Sequence, residues 1–289
     1  MRPLDLVRLT PLMVRTRGRP EVVVALVDGP VALHHPSLGE ARITPLPGPR
    51  EAVCADHATA ACRHGTFVAG ILAGDRGGGS PAIAPDCTLL LSPVFSEAGN
   101  GPGAPPSAAP RALAAAIEAC IKAGARIVNV SAAIEPGAAG ETEALTAALD
   151  HAARRDVIVV AAAGNVATIG SSAITAHPCV IPVIGCDGAG RPLAEATLGA
   201  TIGRNGLAAP GDKVESLAAD GASVTLGGSS AAAPFVTGAI ALLWSEFPRA
   251  PARLVRAAVT RLWPGSRRSV VPPMLDAWGA WQAMQGAAR

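Results

Sequence analysis

Short runs of consecutive apolar residues, rich in valine and isoleucine, recur along the first two thirds of the chain. Their apolar character is continuous rather than alternating, which is typical of strands that are buried on both faces of a parallel sheet. The runs predict five such strands, at 21–27, 87–94, 126–131, 156–163 and 180–185.

Helical stretches separate these strands, and strands that alternate with helices predict a three-layer α/β sandwich with a mainly parallel buried sheet. The predicted helices cover 65–72, 109–123, 141–155 and 230–246. The segment 98–110 is rich in glycine and proline and predicts a surface loop, whereas 193–216 has no clear period. We expect an N-terminal basic arm at 1–20 and one domain at 21–289 that includes a C-terminal helical tail.

Composition excludes several classes of protein. Hydrophobic residues make up 49% of the 289 residues and charged residues 16%, the opposite of a disordered chain. A net charge of +2 and only eight aromatic residues argue against nucleic-acid binding by bulk charge or by base stacking. The longest apolar stretch, 231–244, is too short to cross a bilayer, so no membrane partner is expected.

The six cysteines contain no CxxC pair, and we expect mostly reduced, structural thiols in a cytoplasmic protein. For Cys62 the favoured interpretation is a packed thiol, and the alternative is a functional thiol or a disulfide with Cys54. The glycine run at 77–80 lacks the lysine of a phosphate-binding loop. We therefore predict neither a cofactor nor a metal.

Four polar residues lie where chemistry could occur. Asp28 and Asn165 each follow a predicted buried strand, His64 opens a glycine-containing helix, and Ser230 begins an apolar helix. Each alone is explained by an ordinary turn or a helix cap, and Ser229 would serve as a cap equally well. In this chain order, Asp28, His64 and Ser230 provide a carboxylate that orients the base, the base itself and a nucleophile. The Asn165 side-chain amide is the candidate donor of a hydrogen bond to the oxyanion.

The sequence around these residues resembles the subtilisin-like serine proteases over about residues 20–285. The motifs that carry the resemblance are VALVDGP at 24–30 with HPSL at 35–38, HGTFVAGI at 64–71, NVS at 129–131, AAGN at 162–165 and GSSAAAP at 228–234. The resemblance implies a subtilisin-like fold and a serine endopeptidase. It also implies a nucleophile at Ser230 rather than Ser229, assisted by His64 and Asp28, with Asn165 in the oxyanion hole.

The resemblance further implies that a peptide substrate adds as an extended strand. Its contacts are expected at Ser131, Ala132, Ala133 and Gly164. The chain departs from the family where Gly29 and Pro30 replace the usual Ser or Thr after the aspartate, and also at Ala133, Ser229 and Ala231. None of these changes removes a catalytic group, although the Ala133 methyl could narrow the specificity pocket.

Shorter strings resemble a narrower branch, the proteases that mature cyanobactins and related ribosomally made peptides. These strings are DGP at 28–30, APDC at 84–87 and PVF at 93–95. They imply cleavage of a leader from a modified precursor peptide. Only 27 residues precede Asp28, so we expect an intracellular enzyme without a folding propeptide.

Two alternatives stay open at this point. The first is a catalytically silent module that binds a leader peptide or a partner enzyme. The second concerns the arm, in which Asp5 is the only acidic residue and five residues are arginines: Arg2, Arg8, Arg15, Arg17 and Arg19. A solvated basic face is the favoured interpretation of these arginines, and contact with an acidic leader peptide is the other.

Overall fold

A seven-stranded parallel sheet forms the middle of the molecule. The computed structural model describes residues 2–95, 97, 107–134, 139–260 and 269–287. The sheet strands are β1 (Val23–Asp28), β2 (Arg42–Pro45), β3 (Thr88–Pro93), β5 (Ile127–Val130), β7 (Ile158–Ala162), β8 (Val180–Cys186) and β9 (Leu207–Pro210). They lie in the order β2-β3-β1-β5-β7-β8-β9, and every pair is parallel.

Two small sheets and the helices complete the fold. β4 (Ser107–Ala108) pairs in parallel with β6 (Ala133–Ile134), and β10 (Val214–Leu217) pairs antiparallel with β11 (Ser223–Leu226). The helices of the described chain are α1 (Pro3–Leu6), α2 (Thr10–Arg15), α3 (Ala60–Ala73), α4 (Pro110–Lys122), α5 (Ala139–Arg154), α6 (Ala200–Asn205), α7 (Ser229–Glu246), α8 (Ala252–Thr260) and α9 (Ala277–Ala287).

Alternate residues of each strand pack against helices on opposite faces of the sheet, since successive side chains of a strand point in opposite directions. Along β1, Val24 and Leu26 join the cluster that contains α3 and α7, while Ala25 and Val27 join the cluster that contains α4 and α5. Burial on both faces is what the continuous apolar runs predict. The three-layer α/β sandwich with a mainly parallel sheet is confirmed.

Several predicted boundaries are wrong. Helix α3 begins at Ala60 rather than at residue 65, because the Thr59 side chain caps it by accepting a hydrogen bond from the Cys62 N–H at 3.2 Å. The irregular segment 193–216 contains α6, β9 and part of β10. The short edge strand β2 was not predicted. Most of the predicted loop at 98–110 lies outside the described residues.

The first twenty residues contribute to the core. Val7, Leu9 and Leu12 are fully buried in the cluster that contains α7 and α9. The boundary between an arm at 1–20 and a domain at 21–289 stays a prediction, but these three side chains attach the arm to the domain. None of the described helices is both long and apolar enough to span a membrane.

Candidate active site

The predicted site residues follow the carboxyl ends of three adjacent strands. Asp28 is the last residue of β1, Ser131 follows β5, and Asn165 lies three residues after β7. Because β1, β5 and β7 are parallel neighbours, these residues lie at one edge of the sheet. That edge is where open α/β sheets bind ligands.

Asp28 and His64 form a direct pair. The Asp28 side chain is completely buried, and its Oδ1 lies 2.6 Å from His64 Nδ1 and accepts a hydrogen bond from the Gly29 N–H at 2.6 Å. Its Oδ2 is buried and has no hydrogen-bond partner among the described residues. Both hydrogen bonds of this carboxylate are therefore made by Oδ1, the oxygen that contacts the imidazole.

His64 lies in the second turn of α3 and not at its start, because the helix begins four residues earlier. Its side chain is 15% exposed, and the Phe95 ring packs edge-on to it at 6.3 Å between centroids. Burial alone lowers the pKa of His64, but the charge of Asp28 and the hydrogen bond to it outweigh burial. The pKa therefore lies above its ordinary value of 6.5, and Asp28 stabilises the imidazolium.

Two glycines allow α3 to approach the turn after β1. A Cβ on Gly29 would lie 2.1 Å from the Ala61 carbonyl oxygen, and one on Gly65 would lie 2.4 Å from the Pro30 carbonyl oxygen. The backbones meet with no space for a side chain between them. The Ser or Thr that the family usually has at position 29 would not fit here, and Gly29 positions His64 beside Asp28.

A disulfide lies at the first turn of α3. Cys62 is bonded to Cys54, so the prediction of a packed free thiol is wrong and the alternative disulfide is found. Cys87, Cys120, Cys179 and Cys186 are free. Within the described ranges, the group of three possible metal ligands is Cys54, Cys62 and Glu97, but its sulfurs are bonded to each other. Both oxygens of Glu97 accept the Ala55 N–H. The disulfide and these hydrogen bonds give the three residues a structural role.

Ser229 and Ser230 have different environments at the start of α7. Ser229 is buried; its Oγ accepts the Gly164 N–H at 3.1 Å, and its own N–H donates to Asn165 Oδ1 at 2.8 Å. Ser230 is partly exposed, and its hydroxyl makes no hydrogen bond within the described part of the chain. Gly228, at φ +98°, is the N-cap, so neither serine is. Ser229 is engaged in structure and Ser230 is available.

Asn165 is exposed and oriented by the backbone of α7. Its Oδ1 accepts the Ser229 N–H, which identifies the other amide atom as Nδ2, a donor with no acceptor among the residues described. A Cβ at position 228 would lie 2.7 Å from this Nδ2, so Gly228 leaves the space that the amide occupies. The Ser230 N–H belongs to the first turn of α7 and has no acceptor within the helix.

A buried polar chain joins β5 to α7. Thr237 Oγ1 donates to Asn129 Oδ1 at 2.7 Å, Asn129 Nδ2 donates to Ser131 Oγ at 2.8 Å, and Ser131 Oγ donates to the Ser230 carbonyl at 3.3 Å. The predicted substrate residue Ser131 therefore also supports the backbone of Ser230. Sequence reasoning missed Thr237, although a threonine inside an otherwise apolar helix was the available signal.

The other predicted substrate residues lie in the segments that follow β5 and β7. Ala132 is buried, Ala133 begins β6, which pairs with β4, and Gly164 has φ +109° beside Thr197. The structure thus brings Asp28 to His64, and it brings Ser131, Gly164 and Asn165 to the two serines. No hydrogen bond joins the Ser230 hydroxyl to His64 among the residues described. The helices that carry them, α3 and α7, pack against each other.

Comparison with known proteins identifies similar chains. The subtilase family matches residues 19–264. Subtilisin DY of Bacillus licheniformis is 31% identical over 198 residues, which cover 67% of each chain. Mycosin-4 of Mycobacterium tuberculosis is 30% identical over 279 residues, which cover 83% of this chain and 59% of mycosin-4.

Solved structures show the same architecture. A mutant of the protease domain of PatA has a TM-score of 0.83 and 31% identity, with 93% of this chain and 97% of that chain covered. The prenylagaramide maturation protease PagA has a TM-score of 0.80 and 28% identity, with coverage of 95% and 98%. The predicted resemblance to subtilisin-like proteases, and to the narrower maturation branch, is confirmed.

Proposed function

Because this chain belongs to the subtilase family of serine proteases, we propose that it is an endopeptidase whose catalytic triad is Asp28, His64 and Ser230. The observation that carries this proposal is the 2.6 Å contact between the buried Asp28 carboxylate and His64 Nδ1. The Asp28–His64 pair lies at the sheet edge where Ser131 and Asn165 contact the start of α7. A carboxylate that accepts Nδ1–H leaves Nε2 as the base.

In the proposed reaction, His64 Nε2 removes the proton of the Ser230 hydroxyl as Oγ attacks the scissile carbonyl carbon. The charge that develops on the carbonyl oxygen is stabilised by Asn165 Nδ2 and the Ser230 N–H. His64 then donates the proton to the leaving amine, and the C–N bond breaks. A water molecule, activated by the same imidazole, hydrolyses the acyl-enzyme and regenerates the Ser230 hydroxyl.

The proposed substrate is a precursor peptide from which a leader is removed. Support comes from PatA and PagA, whose structures are described as maturation proteases for patellamide and prenylagaramide. An extended peptide could add its main chain beside Ser131–Ala132–Ala133 by hydrogen bonding. A narrowing of the pocket by the Ala133 methyl stays a prediction, as does the cytoplasmic location.

The test is labelling with a serine-reactive fluorophosphonate, followed by intact mass measurement. We expect one adduct on the wild-type protein and none on Ser230→Ala, because only an activated serine reacts. Ser229→Ala is the matched control, since it removes the neighbouring hydroxyl that holds Gly164. This variant should still form the adduct.

An adduct on Ser230→Ala would contradict the assignment of the nucleophile. No adduct on folded wild-type protein would favour the other function, a subtilase that binds a peptide without cleaving it. The unpartnered Asp28 Oδ2 and the absence of a bond from the described Ser230 hydroxyl to His64 are the observations behind that alternative.

A further inference from the structure

An open cleft of about 820 Å³ lies at the opposite end of α7 from Ser230. One wall is the N-terminal segment from Thr10 to Arg19. The other residues that line it include Arg76, Asp86 and Glu246, the last residue of α7. No part of the proposed catalytic machinery borders the cleft, so the function proposed above does not explain it.

Arg76 gives this cleft a fixed positive charge. Its guanidinium donates to four main-chain carbonyl oxygens, those of Met13, Thr16, Ala82 and Ile83, at 2.6 to 3.2 Å. Burial and, to a smaller extent, repulsion from Arg17 lower the pKa of Arg76 to about 10, while the charge of Asp86 opposes them. The side chain is still charged at neutral pH, and it is rigidly placed at the base of the arm.

The remaining charges leave the cleft electropositive. Arg15 pairs with Glu246 at 2.8 Å, and Arg17 pairs with Asp86 at 3.2 Å. Arg19 makes no ion pair with any described residue. Four arginines and two acidic residues line the cleft, so its net charge is positive. The side chains of Arg17 and Asp86 are each about half exposed to solvent. A carboxylate ligand could compete for such a weak, solvated pair.

The cleft also carries an exposed apolar side chain. Val14 is 83% exposed, the largest value among the exposed large hydrophobic residues of the described chain. An isolated exposed valine needs no explanation, but this one lines a cleft beside four arginines. A ligand with carboxylates and apolar groups, such as an acidic peptide, complements both features.

We propose that this arginine-lined cleft binds an acidic segment of the peptide substrate, remote from the bond that is cleaved; the inference rests on the proposed protease function. The 18 residues of α7 separate the two sites by about 25 Å at ~1.5 Å per residue. An extended peptide advances ~3.3 Å per residue. The acidic segment therefore lies at least about eight residues from the scissile bond.

The test uses the full chain with Ser230→Ala, so that no peptide is cut. The probe is a fluorescein-labelled synthetic peptide of alternating glutamate and leucine, and its partner has glutamine at every glutamate. Fluorescence polarisation should show tighter binding of the glutamate peptide, and the difference should shrink as salt increases. Adding Arg17→Gln and Arg19→Gln should weaken binding about fivefold.

Two further variants make this test specific. Arg154→Gln with Arg155→Gln removes the same charge from exposed positions at the end of α5 and should leave binding unchanged. Asp86→Asn releases Arg17 and should strengthen binding about twofold. Equal binding of the two peptides, or equal weakening by the two pairs of arginine substitutions, would overturn the proposal.

Its failure is distinguishable from failure of the protease assignment. Fluorophosphonate labelling of the wild-type protein without selective peptide binding would refute the cleft proposal alone. Selective binding without labelling would support the cleft and refute the proposed catalysis.

Discussion

The two ends of helix α7 lie in different surroundings. At its first turn, Asn165 and Ser131 bond to the backbone of Ser229 and Ser230. The Ser229 hydroxyl accepts the Gly164 N–H, and a buried chain from Thr237 supports Ser131. At its last turn, Glu246 accepts from Arg15 and from the Trp281 indole N–H near the protein surface. One end is fixed by buried and partly buried hydrogen bonds, and the other by partly exposed charges.

This difference matches the two proposed roles, catalysis at the first end of α7 and recognition of a charged peptide at the last. A buried polar group that loses its partner costs about 1–3 kcal/mol, so the first end of α7 has one stable arrangement. An exposed ion pair contributes about 0–1 kcal/mol and is screened by salt, so the second end can exchange partners. Substitutions near Ser230 should therefore have large effects that depend little on salt, in contrast to those in the arginine-lined cleft.

Among the variants that keep the Ser230 hydroxyl, the largest effect is expected for Asp28→Asn. The asparagine cannot accept the Nδ1 proton as a carboxylate does, and labelling by the fluorophosphonate should slow about 10⁴-fold. In the wild-type protein the labelling rate should rise with pH through an apparent pKa above 6.5, because neutral His64 is the proposed base and Asp28 raises its pKa. Without the Asp28 charge, burial lowers the pKa of His64 unopposed. The pH profile of the labelling that remains in Asp28→Asn should therefore move to lower pH.

The control for this experiment is another acid–imidazole pair, which lies away from the proposed site. Glu118 accepts from His151 Nδ1 at 2.9 Å on the surface of α4 and α5. Glu118→Gln should leave both the rate and its pH profile unchanged. A wild-type profile that is flat between pH 5 and 8 would contradict the role of His64 as base.

A smaller effect is expected for Asn165. Peptide cleavage by Asn165→Ala should fall about 10²–10³-fold, the range for one lost oxyanion donor. Asn165→Asp keeps an oxygen that can accept the Ser229 N–H but lacks the amide donor, so it should lose at least as much activity. If Asn165→Asp instead retained near wild-type turnover, the side chain would act only as an acceptor that fixes α7.

The smallest of these effects is expected for Gly29→Ala. The new Cβ would collide with the Ala61 carbonyl and push α3, with His64, away from Asp28. We expect about tenfold slower labelling and a loss of about 1–3 kcal/mol in the free energy of unfolding. The labelling profile should also move to lower pH as the contact with Asp28 lengthens, which a purely structural defect would not cause.

Gly48→Ala is the matched control, because nothing lies within 4 Å of the Cβ it would add. Its labelling rate and its denaturation midpoint should match the wild-type values. Equal behaviour of the two alanine variants would show that α3 can move without disturbing the Asp28–His64 pair.

The sheet was predictable because its information is local. A strand such as β8, buried on both faces, requires an unbroken apolar run, and that run is visible in any short window of the chain. The same holds for the residues that follow the strands, since a polar residue after such a run lies at a known edge of a parallel sheet. Asp28 and Asn165 were singled out in this way, and the chain order of Asp28, His64 and Ser230 is a property of the sequence itself.

The start of α3 was harder to predict, although its signal is also local. Thr59 caps the helix from a segment with little apolar character, so the helix was predicted to begin only at residue 65. His64 was consequently expected at a helix start, and it lies one turn further in.

Which partner each polar atom takes depended on contacts between distant segments. Local chemistry alone does not distinguish the neighbouring Ser229 and Ser230, and only the family resemblance favoured Ser230. In the structure, Gly164 and Asn165 engage Ser229 and leave Ser230 available. The Cys54–Cys62 bond and the approach of Gly29 to Ala61 likewise depend on how α3 packs on the turn after β1. Local apolar pattern thus encodes strands and helices, whereas hydrogen bonds between residues far apart in the chain form only after those elements pack.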